Sequence, residues 1–375
     1  KQLKGNASSA TGIDMDTDNN LYIMGAFEDS LDVNPDPDEA HYIYQGDASD
    51  VYFILKLNAD AEFVWVKVIT AAEGDFLNAF IHNIQPDEDG NLIGLAIIQG
   101  TANMGTDADP VEIATEFDDL VLFKLDQEDG SLLWHKKIGG EGFEFAYFNV
   151  DEESNIFLAG HFEGSVDFDP GPGTEILTTP FGGFSNRNGF LAKYNSDGEF
   201  VWAKAIESEG LVLIYDLCFH GSGVFIAGVY DGLTDFDPSD ATVELEESTD
   251  YAQGFVANFN FDGDLIWAKG ISSTQHHHDI RVETDDLDNL YLIGTFTESV
   301  DLDPSPALFM IDAYGPIMPG PLGGRDKYMA KWNNAGELLW GGHFPSSGAS
   351  DFQNTMDLCV TGPDEIYITA NFKDS

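Results

Sequence analysis

The sequence predicts an all-β protein built as a β-propeller of four-stranded blades. Three observations support this prediction: a hairpin pattern recurs five times, a tryptophan marks the same position in each copy, and the recurrence runs through all 375 residues. The tryptophans are 69, 68, 65 and 73 residues apart, so one repeat is about 68 residues long. A period of this kind overrides the length-based expectation of several separate domains. The five residues are Trp65, Trp134, Trp202, Trp267 and Trp340.

Each repeat is predicted to contain four strands in a fixed order. The first strand ends in an acidic turn, as at 14–18, and the second strand has a small residue at its fifth position. Such a residue lets a neighbouring backbone or ring approach closely. After an insertion, segment 188–206 reads NGFLAKYNSDGEFVWAKAI, which is an apolar strand, an Asp-Gly turn and a tryptophan strand. This pattern indicates a β-hairpin that supplies the third and fourth strands.

Four antiparallel strands per repeat cannot bury both faces alone, so the repeats must stack on one another. A radial stack leaves few exposed edges and puts the first strand of each blade nearest the axis. We expect a single domain over 1–375 in a ring of about six to eight blades. A linear β-solenoid is the alternative, which antiparallel hairpins disfavour. The predicted blades are 6–69, 76–140, 141–207, 208–272 and 273–344, with a partial blade at 345–375.

The two ends of the chain fall inside the repeat. The chain begins just after the position of a tryptophan, and 372–375 (FKDS) matches 27–30 (FEDS) but stops before the acidic insertion that follows elsewhere. We therefore expect an excerpt of a longer chain, whose export signal or sorting tail would lie outside it.

The charge balance limits the classes of partner. The chain has 67 acidic and 16 basic residues and a formal net charge of −51, which repels nucleic acid phosphates and anionic lipid. No apolar run approaches the ~18 residues of a membrane span, so we expect no membrane insertion. The self-repulsion must be offset, either by halophile-type dispersal of surface charge or by bound Ca²⁺.

The sharpest chemical feature is a recurring DxDP insertion in every predicted blade. Alternate residues of an extended segment point the same way, so its two side-chain oxygens converge. Such hard oxygens suit Ca²⁺, which takes 6 to 8 oxygen ligands, and a structural Ca²⁺ is the cofactor expectation. The candidate ligands are Asp32 and Asn34, Asp107 and Asp109, Asp167 and Asp169, Asp235 and Asp237, and Asp301 and Asp303.

A second interpretation of the same motif needs no metal. The first acid would pair with a lysine of the repeat, and the second would form an Asx turn onto the backbone before the proline. Two carboxylates per site is a thin ligand set for calcium, so both interpretations stay open. The available lysines fall at two positions of the repeat, which indicates a scaffold role. They are Lys56, Lys124, Lys193 and Lys331 at one position, and Lys67, Lys136, Lys204 and Lys269 at the other.

Other candidate sites are less specific. The segment 276–279 (HHHD) could bring at most two imidazoles to one ion, because adjacent strand residues diverge. The Gly/Pro-rich insertions 179–188 and 313–326 contain Arg187 and Arg325 and could form binding surface or cover blade edges. No GxSxG, HExxH or GxxxxGK motif is present, so no catalytic residues are predicted.

The repeat resembles a known family. The hairpin, followed by an acid-tipped strand and an N-x-Y-x-x-G strand, looks like the SBBP β-propeller repeat, and VDFDPGPGTEILT from Val166 is similar to versions in secreted and surface proteins of Bacteroidetes. The resemblance covers nearly the whole chain. It implies export, often by the type IX secretion route, and assigns no activity. The second blade departs most from the pattern, and Asn258 and Gly342 replace repeated lysines.

These observations predict an exported extracellular or cell-surface propeller. Its function would be non-enzymatic binding of a protein or a surface glycan, with Ca²⁺ as a structural option. The alternative is a secreted polysaccharide-active enzyme, a glycosidase or lyase, with a carboxylate site at the propeller axis. An enzyme would concentrate irregular, blade-specific acids at one end of the channel, whereas a scaffold would keep its acids in equivalent positions of the repeat.

Overall fold

A computed structural model gives the architecture. It describes residues 3–5, 8–36, 38–44, 51–72, 77–106, 108–179, 186–221, 223–245, 251–313, 325–344, 356–362 and 365–370. Every regular element in these ranges is a β-strand, which confirms the all-β class. In the same ranges there is no helix of the length and apolarity that would cross a bilayer.

The first seventeen strands cover the first three repeats. They are β1 (Lys4–Gly5), β2 (Ser8–Met15), β3 (Leu21–Phe27), β4 (Ser30–Asp32), β5 (Tyr42–Tyr44), β6 (Val51–Leu57), β7 (Phe63–Ala71), β8 (Leu77–Pro86), β9 (Leu92–Asn103), β10 (Glu112–Leu125), β11 (Leu132–Gly140), β12 (Glu144–Val150), β13 (Ile156–Phe162), β14 (Ser165–Asp167), β15 (Ile176–Thr178), β16 (Asn188–Tyr194) and β17 (Phe200–Ser208).

Thirteen further strands complete the described chain. They are β18 (Leu211–His220), β19 (Gly223–Asp231), β20 (Thr234–Asp235), β21 (Gln253–Asn260), β22 (Leu265–Ile271), β23 (His277–Thr284), β24 (Leu290–Thr297), β25 (Ser299–Asp301), β26 (Met310–Asp312), β27 (Arg325–Trp332), β28 (Leu338–Phe344), β29 (Met356–Gly362) and β30 (Glu365–Ala370).

The chain divides into two compact units, and the division runs through the third repeat. Unit 1 comprises Lys1–Phe157, Gly164–Thr178 and Lys193–Val201. Unit 2 comprises Leu158–Glu163, Thr179–Ala192 and Trp202–Ser375.

Unit 1 contains the first two blades. Strands β2-β3-β6-β7 form one antiparallel set, and β8-β9-β10-β11 form the next. The end of β7 pairs with the end of β9, and β14 with β15 pairs with β11, so all ten strands belong to one hydrogen-bonded sheet. A small sheet, β1-β4-β5, lies beside them in sequence.

Unit 2 repeats the same antiparallel order. One sheet is β18-β19-β21-β22, the other is β23-β24-β27-β28, and the pairs β25-β26 and β29-β30 stand apart. Four antiparallel strands per repeat is therefore confirmed. Within each unit the first strands of successive blades are neighbours: β2 and β8, β8 and β12, β18 and β23, β23 and β29. Closure of the blades into a ring stays a prediction.

The small residue in the second strand works as expected. A Cβ built on Gly25 would lie 2.3 Å from the Ser9 carbonyl oxygen and 2.9 Å from the Phe53 ring. A Cβ on Gly294 would lie 2.4 Å from the hydroxyl of Tyr328, whose side chain is fully buried. Backbone and ring fill the space beside each glycine, because the second strand lies between the first and third strands.

The tryptophans of the first four blades each pack on the hairpin turn of the next blade. A Cβ on Gly130 would lie 2.7 Å from the Trp65 ring, and a Cβ on Gly198 would lie 2.9 Å from Trp134. Each turn glycine has a positive φ, so this position suits glycine on conformational grounds as well. The Trp65 indole N–H also donates to the Gln127 carbonyl at 3.1 Å. The remaining pairs are Trp202 with Gly263 and Trp267 with Gly336.

Candidate functional site

The DxDP insertion of each blade forms a short hairpin that we call the arm. Each arm reaches back to the fourth strand of the preceding blade and forms a short antiparallel pairing with it. The arms cover residues 30–44, 100–115, 165–178, 234–244 and 299–312. The pairings are β1 with β4, β7 with β9, β11 with β14, β17 with β20, and Ser273 with Val300.

The first acid of the motif closes the arm through backbone hydrogen bonds. Oδ1 of Asp301 accepts the N–H of Asp303 at 3.1 Å and that of Phe309, on the returning strand, at 2.8 Å. The pattern recurs at Asp167 and Asp235, which also accept N–H groups two and eight residues further on. At Asp32 the second donor is the N–H of His41. We call these residues the staples of the arms.

The second blade uses a different residue from the predicted one. Here Asn103 is the staple: its Oδ1 accepts the N–H of Gly105 at 2.9 Å and that of Val111 at 3.0 Å. Asn103 is therefore the residue of this arm that is equivalent to the other staples, while Asp107 and Asp109 as calcium ligands stay a prediction. Asp109 lies exposed at the tip of the arm, and Asp107 lies outside the described residues. The segment of this arm that is equivalent to the motif is 103–105 (NMG), which does not match DxDP in sequence.

The residue after each staple anchors the arm in the core. It is Val33, Met104, Phe168, Phe236 or Leu302, and each is fully buried. The equivalence of Met104 to the other four supports Asn103 as the staple of the second blade.

The second acid of the motif forms an Asx turn, as the metal-free interpretation expected. Oδ1 of Asn34, Asp169, Asp237 and Asp303 accepts the N–H two residues further on, at 2.8 to 3.0 Å. The expected pairing of the first acid with a repeat lysine is wrong. Lys124 instead pairs with Asp87, and Lys331 with Asp285, both at the acidic tips of the first strands.

The arms offer a poor fit to calcium. A Ca²⁺ ion needs 6 to 8 oxygens, whereas each motif supplies two side chains whose Oδ1 atoms already accept backbone N–H groups. Across the described ranges, no three His, Cys, Asp or Glu side chains form a group that could hold a metal ion.

Replacement of a staple distinguishes a turn from a metal site. We expect Asp301→Ala to lower the free energy of unfolding by about 1–2 kcal/mol, because two N–H groups in a partly buried turn lose their acceptor. Asp301→Asn should cost less than about 0.5 kcal/mol, since asparagine already performs this role in the second blade. Urea unfolding of both variants gives the comparison. A large loss with asparagine would show that the charge itself is required.

Buried ion pairs hold the ends of the first strands. Nζ of Lys331 lies 2.9 Å from Oδ2 of Asp285, and the side chains are 12% and 0% exposed. The same Asp285 accepts the N–H groups of Leu287 and Asn289. These donors hold the pKa of Asp285 well below its usual range against the opposing effect of burial.

In the fourth blade a histidine–asparagine pair replaces the ion pair. Asn258 stands where the lysine would be, and His220 stands where the aspartate would be; Nε2 of His220 lies 2.8 Å from Oδ1 of Asn258. Both positions change together, so neither a lysine nor an aspartate is left buried here without its partner.

One buried acid has no hydrogen-bond donor within the described part of the chain. Glu144 is 0% exposed, and neither of its side-chain oxygens has a partner there. Asp119, 3% exposed, has the same deficit at Oδ1, and its Oδ2 lies 3.5 Å from Nζ of Lys137. Burial, and then the charge of Asp119, raise the pKa of Glu144 to about 9.

Glu144 therefore makes stability depend on pH. Its folded-state pKa exceeds the ordinary value of 4.5, so the native state binds more protons than the unfolded state between about pH 4.5 and 9. Stability falls as pH rises through that window. Glu144→Gln should raise the free energy of unfolding by about 2 kcal/mol at pH 8, and by little at pH 4. Glu141→Gln, an exposed position nearby, is the control in the same unfolding series. A pH-independent difference would contradict this account.

A second group of acids lies on the first strands of unit 2. Asp216 accepts the N–H of Val282 at 2.9 Å, and both Asp216 and Glu283 are half-buried. Burial, together with the charge of Asp357, raises the pKa of Asp216 to about 6. Burial, together with the charges of Asp216 and Asp357, raises the pKa of Glu283 to about 7. Arg281 donates to the Tyr215 carbonyl and lowers the pKa of Asp216. By strand register, Glu283 occupies the repeat position of Asp14, and Asp216 occupies that of Asp357.

The remaining sequence candidates are mostly structural. Nε2 of the buried His277 lies 2.8 Å from the hydroxyl of Tyr328, and the His276 ring packs edge-on against Tyr251. Residues 180–185 and 314–324, in the two Gly/Pro-rich insertions, lie outside the described residues. Arg187 lies beside His161, at 3.5 Å, at the end of the first insertion.

The outward face of the arms differs from blade to blade. The residue paired across the arm from each staple is Tyr42, Glu112, Ile176, Glu244 or Met310. All five are exposed, and the three apolar ones are 50%, 57% and 49% exposed. The sequence did not single out these residues. The only available signal was their distance from the staple, which is 9 or 10 residues.

Comparison with known proteins adds one distant relative. No protein-family model matches the chain. Over 173 residues it is 25% identical to an uncharacterized WD repeat-containing protein, L264, of Acanthamoeba polyphaga mimivirus. The matched region is 41% of this chain and 12% of that protein, so the chain matches about one eighth of the relative's length.

This similarity agrees with an all-β repeat protein. A WD repeat is a four-stranded propeller blade of about 40–45 residues, shorter than the period of about 68 found in this chain. The arm accounts for much of the difference, because it is an insertion between the second and third strands of each blade.

Proposed function

We propose that the chain is a non-enzymatic binding scaffold of an exported, extracellular or cell-surface protein. Its partner would be a protein or a surface glycan. One observation supports this most: a constant staple holds every arm, while the exposed residue opposite the staple varies. Conserved support beneath a variable outer residue is the arrangement expected of a recognition surface on a rigid framework. Membership of the SBBP repeat family, and export with it, stay predictions of the sequence.

Most of the acids in the motif serve hydrogen bonds at equivalent positions of the repeat. This agrees with a scaffold, since an enzyme would need a local, irregular arrangement. The acids Asp216 and Glu283 are the specific observation that favours the alternative, a polysaccharide-active enzyme. Their raised pKa values of about 6 and 7 suit general acid–base catalysis near neutral pH.

A single assay separates the two functions. The purified chain is incubated with immobilised polysaccharides and extracellular proteins, and both retention and release of reducing sugar or unsaturated product are measured. The scaffold predicts retention without product, weakened when Tyr42, Ile176 and Met310 are all replaced by serine. Product formation that disappears in Asp216→Asn and Glu283→Gln would overturn it in favour of the enzyme.

Calcium remains a proposal with its own test. If the arms or another part of the chain bind Ca²⁺, millimolar Ca²⁺ should raise the melting temperature and EDTA should reverse the rise, since a ligand of the native state stabilises it. A matched titration with Mg²⁺ controls for general screening of the −51 charge. The absence of a calcium-specific rise would leave the arms as hydrogen-bonded turns.

A further inference from the structure

A groove of about 560 Å³ opens between the first two blades of unit 1. Its floor is the fourth strand of the first blade, β7, through Val66, Val68 and Thr70. The arm of the first blade forms one wall through Tyr44, and the arm and hairpin turn of the second blade form the other. This volume is within the range of small-ligand sites, about 300–1,000 Å³.

The lining combines an aromatic face with hydrogen-bonding groups. Tyr44 is 68% exposed, so its ring is available to a ligand. Hydroxyl groups come from Thr70, Thr106 and Ser131. Lys67 and Asp129 also line the groove. Burial lowers the pKa of Lys67 against the opposing charge of Asp129, and hydrogen bonds from Ser131, followed by the charge of Lys67, lower the pKa of Asp129.

Two lining residues depart from the repeat at this groove. Tyr44 pairs with Ser30 across its arm, where the equivalent residues opposite Ser165 and Ser299 are Thr178 and Asp312. Ser131 closes the hairpin turn of the second blade, where the other four turns have a carboxylate. Those four residues are Glu62, Glu199, Asp264 and Glu337.

These departures change the chemistry in one direction. Ser131 has a hydroxyl group where the other four turns have a carboxylate. Tyr44 has an aromatic ring where the arms of the third and fifth blades have a threonine and an aspartate. Residues that recur at the same position in every blade are explained by their role in the fold. The fold does not explain a residue that differs in one blade and exposes an aromatic ring to a groove, so such a residue indicates a function.

We propose that this groove binds a neutral oligosaccharide. A sugar ring has an apolar face of C–H groups that can pack on Tyr44, and a rim of hydroxyls that can bond Thr70, Thr106, Ser131 and the Lys67 and Asp129 head groups. The net charge of −51 and the nearby Asp129 disfavour an anionic ligand. The inference deepens the proposed binding role by assigning a ligand class and a location, and it involves residues other than Tyr42, Ile176 and Met310.

The test is calorimetric titration with neutral hexasaccharides: cello-, xylo-, manno-, malto- and laminari-oligosaccharides, with oligogalacturonate as the anionic probe. We expect at least one neutral probe to bind and oligogalacturonate to bind at least tenfold more weakly. Tyr44→Ala should weaken binding at least tenfold, and Tyr44→Phe less than about threefold because the ring remains.

Two further variants make the result specific to the groove. Ser131→Glu, which restores the residue found in other turns, should also weaken binding at least tenfold while leaving the melting temperature near that of the parent chain. Thr178→Ala, at the position equivalent to Tyr44 in the third blade, should change nothing. The proposal fails if no neutral probe binds, if oligogalacturonate binds more tightly, or if Tyr44→Ala binds normally. The proposed binding role has its own test, which is retention of the chain on immobilised polysaccharides and proteins. Failure of the groove proposal would therefore not decide that test.

Discussion

Asp285→Ala should lower the free energy of unfolding by about 3–5 kcal/mol, because it breaks a buried ion pair by removing one partner. The carboxylate accepts hydrogen bonds from Leu287 and Asn289 and pairs with the buried ammonium group of Lys331. Removal of the carboxylate leaves that ammonium buried without its counter-ion and leaves the turn donors unpaired. Both losses act on the same turn, so the effect exceeds that of an exposed ion pair.

The measurement is urea unfolding of a set of variants. Asp286→Ala, an exposed acid in the same turn, controls for lost charge and should change stability by less than about 0.5 kcal/mol. The double variant Asp285→Ala with Lys331→Met should recover part of the loss, because it removes the stranded charge. An equal loss in the single and double variants would mean that the ion pair contributes little beyond the turn bonds.

We also expect the contribution of Asp285 to the free energy of unfolding to depend on pH. Its pKa is held below the ordinary value in the folded chain, so its contribution is complete above about pH 4 and is lost as pH falls through the folded-state pKa. The difference between the parent chain and Asp285→Ala should therefore shrink below pH 4. This direction is opposite to that of Glu144, whose contribution worsens as pH rises.

Gly130→Ala should cost about 2–3 kcal/mol. Its φ is +70°, where a side chain costs roughly 1–2 kcal/mol, and the added Cβ would lie 2.7 Å from the Trp65 ring. The Trp65 ring cannot easily move away from the added methyl group, because it is 6% exposed and its indole N–H donates a hydrogen bond to the Gln127 carbonyl of the same turn. The substitution thus strains the turn and pushes one blade from the next.

The first blade contains a matched control. Ala61 occupies the equivalent turn position with φ +55°, so alanine is tolerated there. We expect Ala61→Gly to raise stability, or leave it unchanged, within about 1 kcal/mol. Thermal unfolding of both variants separates backbone strain from the contact with tryptophan. If Gly130→Ala costs no more than the conformational penalty, packing of Trp65 on the turn does not join the blades.

Much of the scaffold could be predicted because it depends on short-range patterns. The hairpin of 188–206 follows from its Asp-Gly turn and apolar alternation, and the small residue at Gly25 follows from its fixed place in a strand. The spacing of the tryptophans predicted equivalent positions, although only the structure shows that four of the rings pack on the turn of the next blade. The sequence singled out four of the five staples, whereas it missed Asn103 and the N–H donors eight or nine positions after each staple.

Sequence and structure disagree where residues that match a motif by letter do not occupy the equivalent position in the fold. Asp107 and Asp109 match DxDP by letter, but the arm of the second blade places Asn103 beside the N–H donors. The lysines were expected to pair with the arms, yet Lys331 contacts the acidic tip of its own blade. Pairing partners depend on strand register, which a repeat pattern alone leaves open.

The order of residues by itself determined the strand content, the four-strand repeat and the positions of turns, because hydrophobic alternation and turn chemistry act over a few residues. Only the tertiary structure decided which oxygen accepts a hydrogen bond from which N–H, which carboxyl groups are desolvated, and where a groove opens between blades. Those outcomes depend on the distance between segments far apart in the chain, and both desolvation and hydrogen bonding change steeply over a few ångströms.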